Sequence, residues 1–130
     1  MTMDNVDVEV KIDIQVETGY LEQHSVEEEQ QYAFYYSIRI ENLSDMPLQI
    51  LRRYWLITDG DGDTKEVEGE GVIGKQPRLG PNQHFEYTSS AVIPTEVGVM
   101  QGSYTLSDDQ GQLYQAEIPA FRLAKPSALH

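Results

Sequence analysis

The chain has 130 residues, with 9 Lys and Arg against 22 Asp and Glu, and a formal net charge of −13. One domain is expected at this length, large enough to bury a core without staples; with no cysteine, disulfides, thiolate metal sites, iron–sulfur clusters and cysteine nucleophiles are excluded. The acidic balance argues against nucleic acid and anionic membranes as partners, no apolar run reaches the ~18 residues of a membrane span, and the N-terminus carries acids where a signal peptide needs bases. A soluble cytoplasmic domain is expected.

The charge is front-loaded. Residues 1–31 hold nine acids and one base, net −8, and the remaining 99 residues carry −5. Within that acidic segment Val6, Val8, Val10, Ile12, Ile14 and Val16 alternate with polar residues. A period of two predicts a strand over residues 6–16 with one dry and one wet face, and outward charges suit an edge. Residues 17–31 are polar and read as a loop pinned by Tyr20, Leu21 and Val26. Residues 32–41 form a second strand with Tyr32, Phe34, Tyr36, Ile38 and Ile40 on one face, followed by a turn cluster from Asn42 to Pro47. Residues 48–58 are apolar enough for a central strand, and Asp59-Gly60-Asp61-Gly62-Asp63 is a hairpin turn. Residues 64–67 return as a short strand, and residues 69–82 are a connection with four glycines and two prolines. Strands follow over residues 83–93, around Met100, Gly102, Tyr104 and Leu106, and over residues 113–123, where Pro119 implies an edge or a bulge. Residues 125–130 are expected to be a flexible tail beyond a domain of residues 1–124.

About seven short strands without a convincing helix point to an all-β fold. The expected form is an antiparallel β-sandwich of fibronectin-III or immunoglobulin type, with a closed barrel as the rival. The lone Trp55 suits a sandwich core, and the missing disulfide favours the fibronectin-like branch. Strand alternation places one of Arg52 and Arg53 with Trp55 and Leu51, and the other with Tyr54 and Ile50; a guanidinium there is read as a structural stack on an aromatic ring.

Two segments carry candidate chemistry. Gly69-Glu70-Gly71-Val72-Ile73-Gly74 matches G-x-G-x-x-G. That fingerprint works through the helix that follows it, and Pro77 and Gly80-Pro81 leave no room for one. What survives is a glycine-rich anion nest, with Gly69, Gly71, Gly74, Lys75 and Arg78 as candidate ligands and Arg52 and Arg53 nearby. Asp59, Asp61 and Asp63 partly match a calcium loop, but Thr64 stands where that loop needs glycine; a solvated hairpin tip is the plainer account. His24, His84 and His130 lack metal-ligand spacing, and Ser25, Ser89 and Ser90 lack a nucleophile elbow. No catalytic residue, metal centre or cofactor is expected.

Four motifs in order carry a family resemblance: Arg53-Tyr54-Trp55-Leu56-Ile57-Thr58-Asp59, then the run from Gly69 to Pro81, then Phe85-Glu86-Tyr87-Thr88-Ser89, then Gly98-Val99-Met100-Gln101-Gly102-Ser103-Tyr104. With Pro94-Thr95 they make the chain resemble the bacterial ApaG (CorD) family over almost its whole length. The resemblance implies a fibronectin-III-like sandwich, often dimeric. It also implies an association with cobalt and magnesium resistance or efflux without an assigned catalytic activity. For Gly69, Gly71 and Gly74 it implies a proposed pyrophosphate site. Related domains in eukaryotic F-box and polymerase-interacting proteins imply a protein-interaction module. Asn82 replaces a glycine common in that family, and asparagine tolerates the same turn geometry. The expectation is thus a non-enzymatic interaction domain with an unidentified protein partner and a possible homodimer through the edges at 6–16 or 113–123. A small-anion module at the glycine loop is the alternative, and direct divalent-ion binding at the aspartates a third possibility.

Overall fold

Alternation of apolar and polar residues is converted into strands wherever it is long enough to bury one face. In the computed structural model, which describes residues 10–129, these are β1 (Ile12–Tyr20), β2 (Tyr32–Asn42), β3 (Leu48–Asp59), β4 (Thr64–Glu70), β5 (Arg78–Leu79), β6 (His84–Ile93), β7 (Val97–Ser107) and β8 (Leu113–Ala124). One antiparallel sheet has the order β1-β2-β6; the other runs β4-β3-β7-β8, with the two-residue β5 also pairing β3. They stack as a two-sheet sandwich, so the closed barrel is set aside. Phe34, Ile38 and Ile40 from the first sheet meet Ile50, Met100, Tyr104 and Leu106 from the second in one buried core. Trp55 is buried there as expected, edge-on to Tyr36 and Phe121 at 5.3 and 5.8 Å.

Three features depart most from the sequence expectation. Residues 6–9 of the first predicted strand lie outside the described residues, and β1 continues past Val16 to Tyr20. Its last four residues keep their ladder with β2, from Glu17↔Ser37 to Tyr20↔Phe34, although their side chains no longer alternate. Gly19 makes room for the Tyr35 ring, and Thr18 Oγ1 donates to the Tyr35 carbonyl at 2.7 Å. The loop therefore begins at Leu21 and contains two single-turn 3₁₀ segments, Glu22–His24 and Glu27–Glu29. Tyr20 does pin it: its ring packs on Phe34 at 5.3 Å and its hydroxyl donates to Glu27. The second difference is β4, which runs to Glu70 rather than residue 67.

The third is a bulge at Leu51. The β3–β7 register passes from Ile50↔Leu106 to Arg52↔Thr105, which leaves Leu51 unpaired and shifts the side-chain alternation by one residue. Ile50 thus faces the core together with Trp55, and Arg52 does not share its face; the predicted grouping of Arg52 with Ile50 is corrected. Pro119 sits both on an edge strand and in a bulge, since Met100↔Phe121 is followed by Gly102↔Ile118. At the base of the sandwich Asn42 is fully buried. Its amide donates to the carbonyls of Met46 and Leu79, each at 2.9 Å, and its Oδ1 accepts the Ser44 N–H at 2.9 Å. What the sequence offered as the start of a turn is a satisfied polar clamp between two loops.

One long side of the sandwich is shut by β1 packing on β8, and Lys125 Nζ reaches Glu27 Oε1 at 2.9 Å across it. Beyond Lys125, residues Pro126–Leu129 form one 3₁₀ turn. Among the described residues no helix is long and apolar enough to cross a membrane.

Candidate functional site

The glycine motif is an excursion from an edge strand. β4 and β5 lie on the same side of β3, and residues 71–77 loop out between them. Val72 and Lys75 exchange two backbone hydrogen bonds of 2.8 and 2.9 Å. The two residues between them have positive φ, Ile73 at 42° and Gly74 at 78°, the pattern of a tight hairpin turn. Gly71 has φ 67°, and a Cβ there would overlap the Lys75 carbonyl. Val72 is wholly buried as a plug in the core, while Ile73 is 53% exposed in a backbone region that β-branched residues avoid. The Gly71 N–H donates to the Leu51 carbonyl at 2.7 Å, the Gln76 amide reaches the same oxygen at 3.0 Å, and the Ile50 N–H donates to the Pro77 carbonyl at 2.9 Å. No helix follows the motif, as its prolines dictated.

The basic residues near this loop are held by separate partners. Arg53 Nη1 donates to the carbonyls of Glu70 at 3.2 Å and Gly71 at 3.0 Å. Its guanidinium lies over Gly69, where a Cβ would come within 2.7 to 2.9 Å of it. Arg78 forms a forked pair with Asp109 at 3.2 and 2.7 Å, which raises its pKa further. Arg52, on the opposite face of β3, lies 3.7 Å from Glu68. Lys75 is exposed and makes no ion pair among the described residues. Gly69 and Gly71 therefore seat Arg53, and Gly74 shapes the turn.

At the far end of β3, Asp59 Oδ1 accepts the N–H groups of Asp61 at 2.9 Å and Asp63 at 3.1 Å. That carboxylate closes its own turn, and among the described residues no three acidic or imidazole groups converge to hold a metal ion. Asn82 takes the left-handed backbone that its position requires, with φ 66°. Between the sheets, the hydroxyls of Tyr87 and Tyr104 share a buried hydrogen bond of 2.6 Å. Burial raises both phenol pKa values well above the ordinary one, with the Arg53 charge acting weakly in the opposite sense.

A groove opens between the edges of β4 and β6. Residues paired directly across an antiparallel ladder share a face. Gly69, Val67 and Lys65 therefore stand beside Arg53, Trp55 and Ile57, while Ser89 and Ala91 stand beside Tyr36 and Phe34. Two cations, a serine, an alanine and a glycine thus interrupt a face that is otherwise apolar, with Trp55, Val67, Tyr87 and Ile93 on it. The result is a groove of about 540 Å³ whose lining includes Arg53, Trp55, Lys65, Ser89, Ala91 and Val92, with Asp59 and Asp63 at the hairpin end. The Trp55 Nε1 is buried with no hydrogen-bond partner among the described residues. Sequence reasoning weighed Ser89 only as a nucleophile and did not single out Lys65 and Ala91; the available signal was a lysine and a serine at core parity in strands otherwise apolar on that face.

Comparison with known proteins agrees with this architecture. The ApaG domain model matches residues 22–108. Protein ApaG of Azotobacter vinelandii is 51% identical over 124 residues, covering 95% of this chain and 98% of that protein. Protein ApaG of Salmonella arizonae is 47% identical over 120 residues, covering 92% and 96%. A crystal structure of a Bordetella pertussis protein described as ApaA superposes with a TM-score of 0.86 at 39% identity, covering 90% of this chain and 95% of that one. The four ordered motifs, the two-sheet sandwich and these matches together place the chain in the ApaG family.

Proposed function

We propose that the chain is a non-catalytic, cytoplasmic interaction domain of ApaG type, which binds a protein partner and through it acts in cobalt and magnesium resistance or efflux. The observation that supports this most is the open side of the sandwich: among the described residues β4 and β6 end their sheets as unpaired edges, and they flank a groove that the core leaves unfilled. Free edges and half-buried inner positions are what a strand-adding partner uses. The strand order also supports the fibronectin-III-like reading and a single domain of residues 1–124. A homodimer would use the edges β1 or β8, and sedimentation of the intact chain tests it. The functional test is capture of partners from cytosol by the intact chain, joined to cobalt and magnesium tolerance of a strain lacking it. The expected result is one recurrent partner in stoichiometric amount and altered tolerance. Recovery of chaperones alone with unchanged tolerance would reject the reading.

A second reading is a small-anion module at Gly69, Gly71, Gly74, Lys75 and Arg78. It is favoured by one observation, the exposed Lys75 ammonium without an ion-pair partner among the described residues of an acidic chain. Calorimetry with pyrophosphate tests it. Heat that disappears in a Lys75→Ala, Arg78→Ala double variant supports this reading, and its absence rejects it.

A further inference from the structure

We infer that the groove between β4 and β6 is the docking site for an extended, acidic segment of a partner protein. The inference rests on the interaction-domain reading and specifies where and what that domain binds.

Shape is the first argument. The groove follows β3 from Arg53 to Asp59, a length of about 20 Å at a strand's rise per residue. A volume of about 540 Å³ drawn out over that length has room for no more than one extended chain. It is bounded by two strand edges with no partner among the described residues, which offer backbone hydrogen bonds to a chain of any sequence.

Charge is the second argument. In a protein of net charge −13, this groove is lined by two cations, Arg53 and Lys65, that balance its two carboxylates, Asp59 and Asp63. Arg53 is fixed in place by the carbonyls of Glu70 and Gly71 and by the missing side chain at Gly69. Its orientation is therefore set before any ligand arrives, which lowers the cost of binding. Ser89 and Ser90 add hydroxyl donors, and Tyr36, Val67 and Val92 add apolar walls. The carboxylates of Asp59 and Asp63 stand at the opposite end from Arg53, and Asp59 already accepts the Asp61 and Asp63 N–H groups. A segment with alternating apolar and acidic residues places carboxylates toward Arg53 at one end and toward Lys65, beside the aspartates, at the other.

The test is selection of a random dodecapeptide display library against the intact chain, followed by binding of the enriched peptides in synthetic form. Enriched sequences are expected to alternate apolar and acidic residues, and to shift the amide resonances of Lys65 to Val67 and of Ser89 to Ile93. Affinity should fall at least tenfold with Lys65→Glu, which reverses a charge at an exposed position, and with Ala91→Trp, which fills the channel. Thermal unfolding of both variants verifies that they fold; Lys65→Glu alone suffices should Ala91→Trp fail to do so. No enrichment, basic consensus sequences, or equal affinity for the variants would overturn the inference. A cytosolic partner still retained by both variants also overturns it, while leaving the interaction-domain reading intact. If the parent chain holds no cytosolic partner yet binds the acidic peptides in the groove, the broader reading falls and the groove stands.

Discussion

The two long sides of this sandwich are built from the same kind of strand and end differently. On the β1–β8 side the inner positions of β1 are Ile12, Ile14, Val16 and Tyr20, all packed against the core. Facing them, β8 supplies the buried Ile118 and Leu123. On the β4–β6 side the inner row includes the apolar Val67, Tyr87 and Ile93 but is interrupted by Lys65, Gly69, Ser89 and Ala91. An apolar row draws two sheets together, because each buried methylene contributes roughly 0.8 kcal/mol. A lysine and a serine supply no such pull and keep their own hydration. Closure of a sandwich is thus a local decision taken by a few edge-strand residues, and this chain takes it on one side only.

The contrast can be broken in four places. The largest effect is expected at the loop that seats Arg53. Gly71→Ala should cost about 2–4 kcal/mol in denaturant unfolding, from its positive φ and the overlap with the Lys75 carbonyl. Gly74→Ala, also at positive φ but in open space, should cost about 1 kcal/mol. Equal small losses would show that the loop relaxes freely and does not fix Arg53. Next comes the tyrosine pair between the sheets. Tyr104→Phe leaves the buried Tyr87 hydroxyl without its partner and should cost about 1–3 kcal/mol. Adding Tyr87→Phe should return part of that loss, and a further loss would contradict the pairing.

The third test exchanges the two sides. Val16→Ser on the closed side should lower stability by about 1–2 kcal/mol, and Ser89→Val on the open side should raise it by up to about 1 kcal/mol. Destabilisation by Ser89→Val would mean that the open side is already filled. The smallest effect concerns the acid limb of stability. Hydrogen bonds from Tyr20 and then Lys125 hold the Glu27 carboxyl below its ordinary value. Its contribution is complete above the unfolded value of 4.5 and is lost as pH falls through the lower folded value. In Glu27→Gln the urea midpoint should decline less steeply below that pH, and a superposable decline would assign the closed side to apolar packing alone.

Most strands were legible because a period of two survives wherever one face is buried. β2 and β7 show this best, with Phe34, Tyr36, Ile38 and Ile40 and with Met100, Tyr104 and Leu106 buried in alternation. The extension of β1 to Tyr20 was not legible, since a ladder of backbone bonds leaves no mark on side chains that face neither core nor water consistently. Nor was the bulge at Leu51, because a one-residue register shift depends on the partner strand. The glycine motif was legible as a loop and not as a seat for an arginine seventeen residues earlier in the chain, a contact made only when β4 pairs with β3.

The sequence by itself determined the class of fold, the edge character of the Pro119 strand and the failure of a dinucleotide reading, because periodicity, proline and glycine act through local backbone geometry. Tertiary structure alone decided which sides of the sandwich close, which cations are already bound by carbonyls or carboxylates, and where two free edges leave a channel. Those outcomes depend on which residues from distant strands share a face, and that is set by sheet order and register.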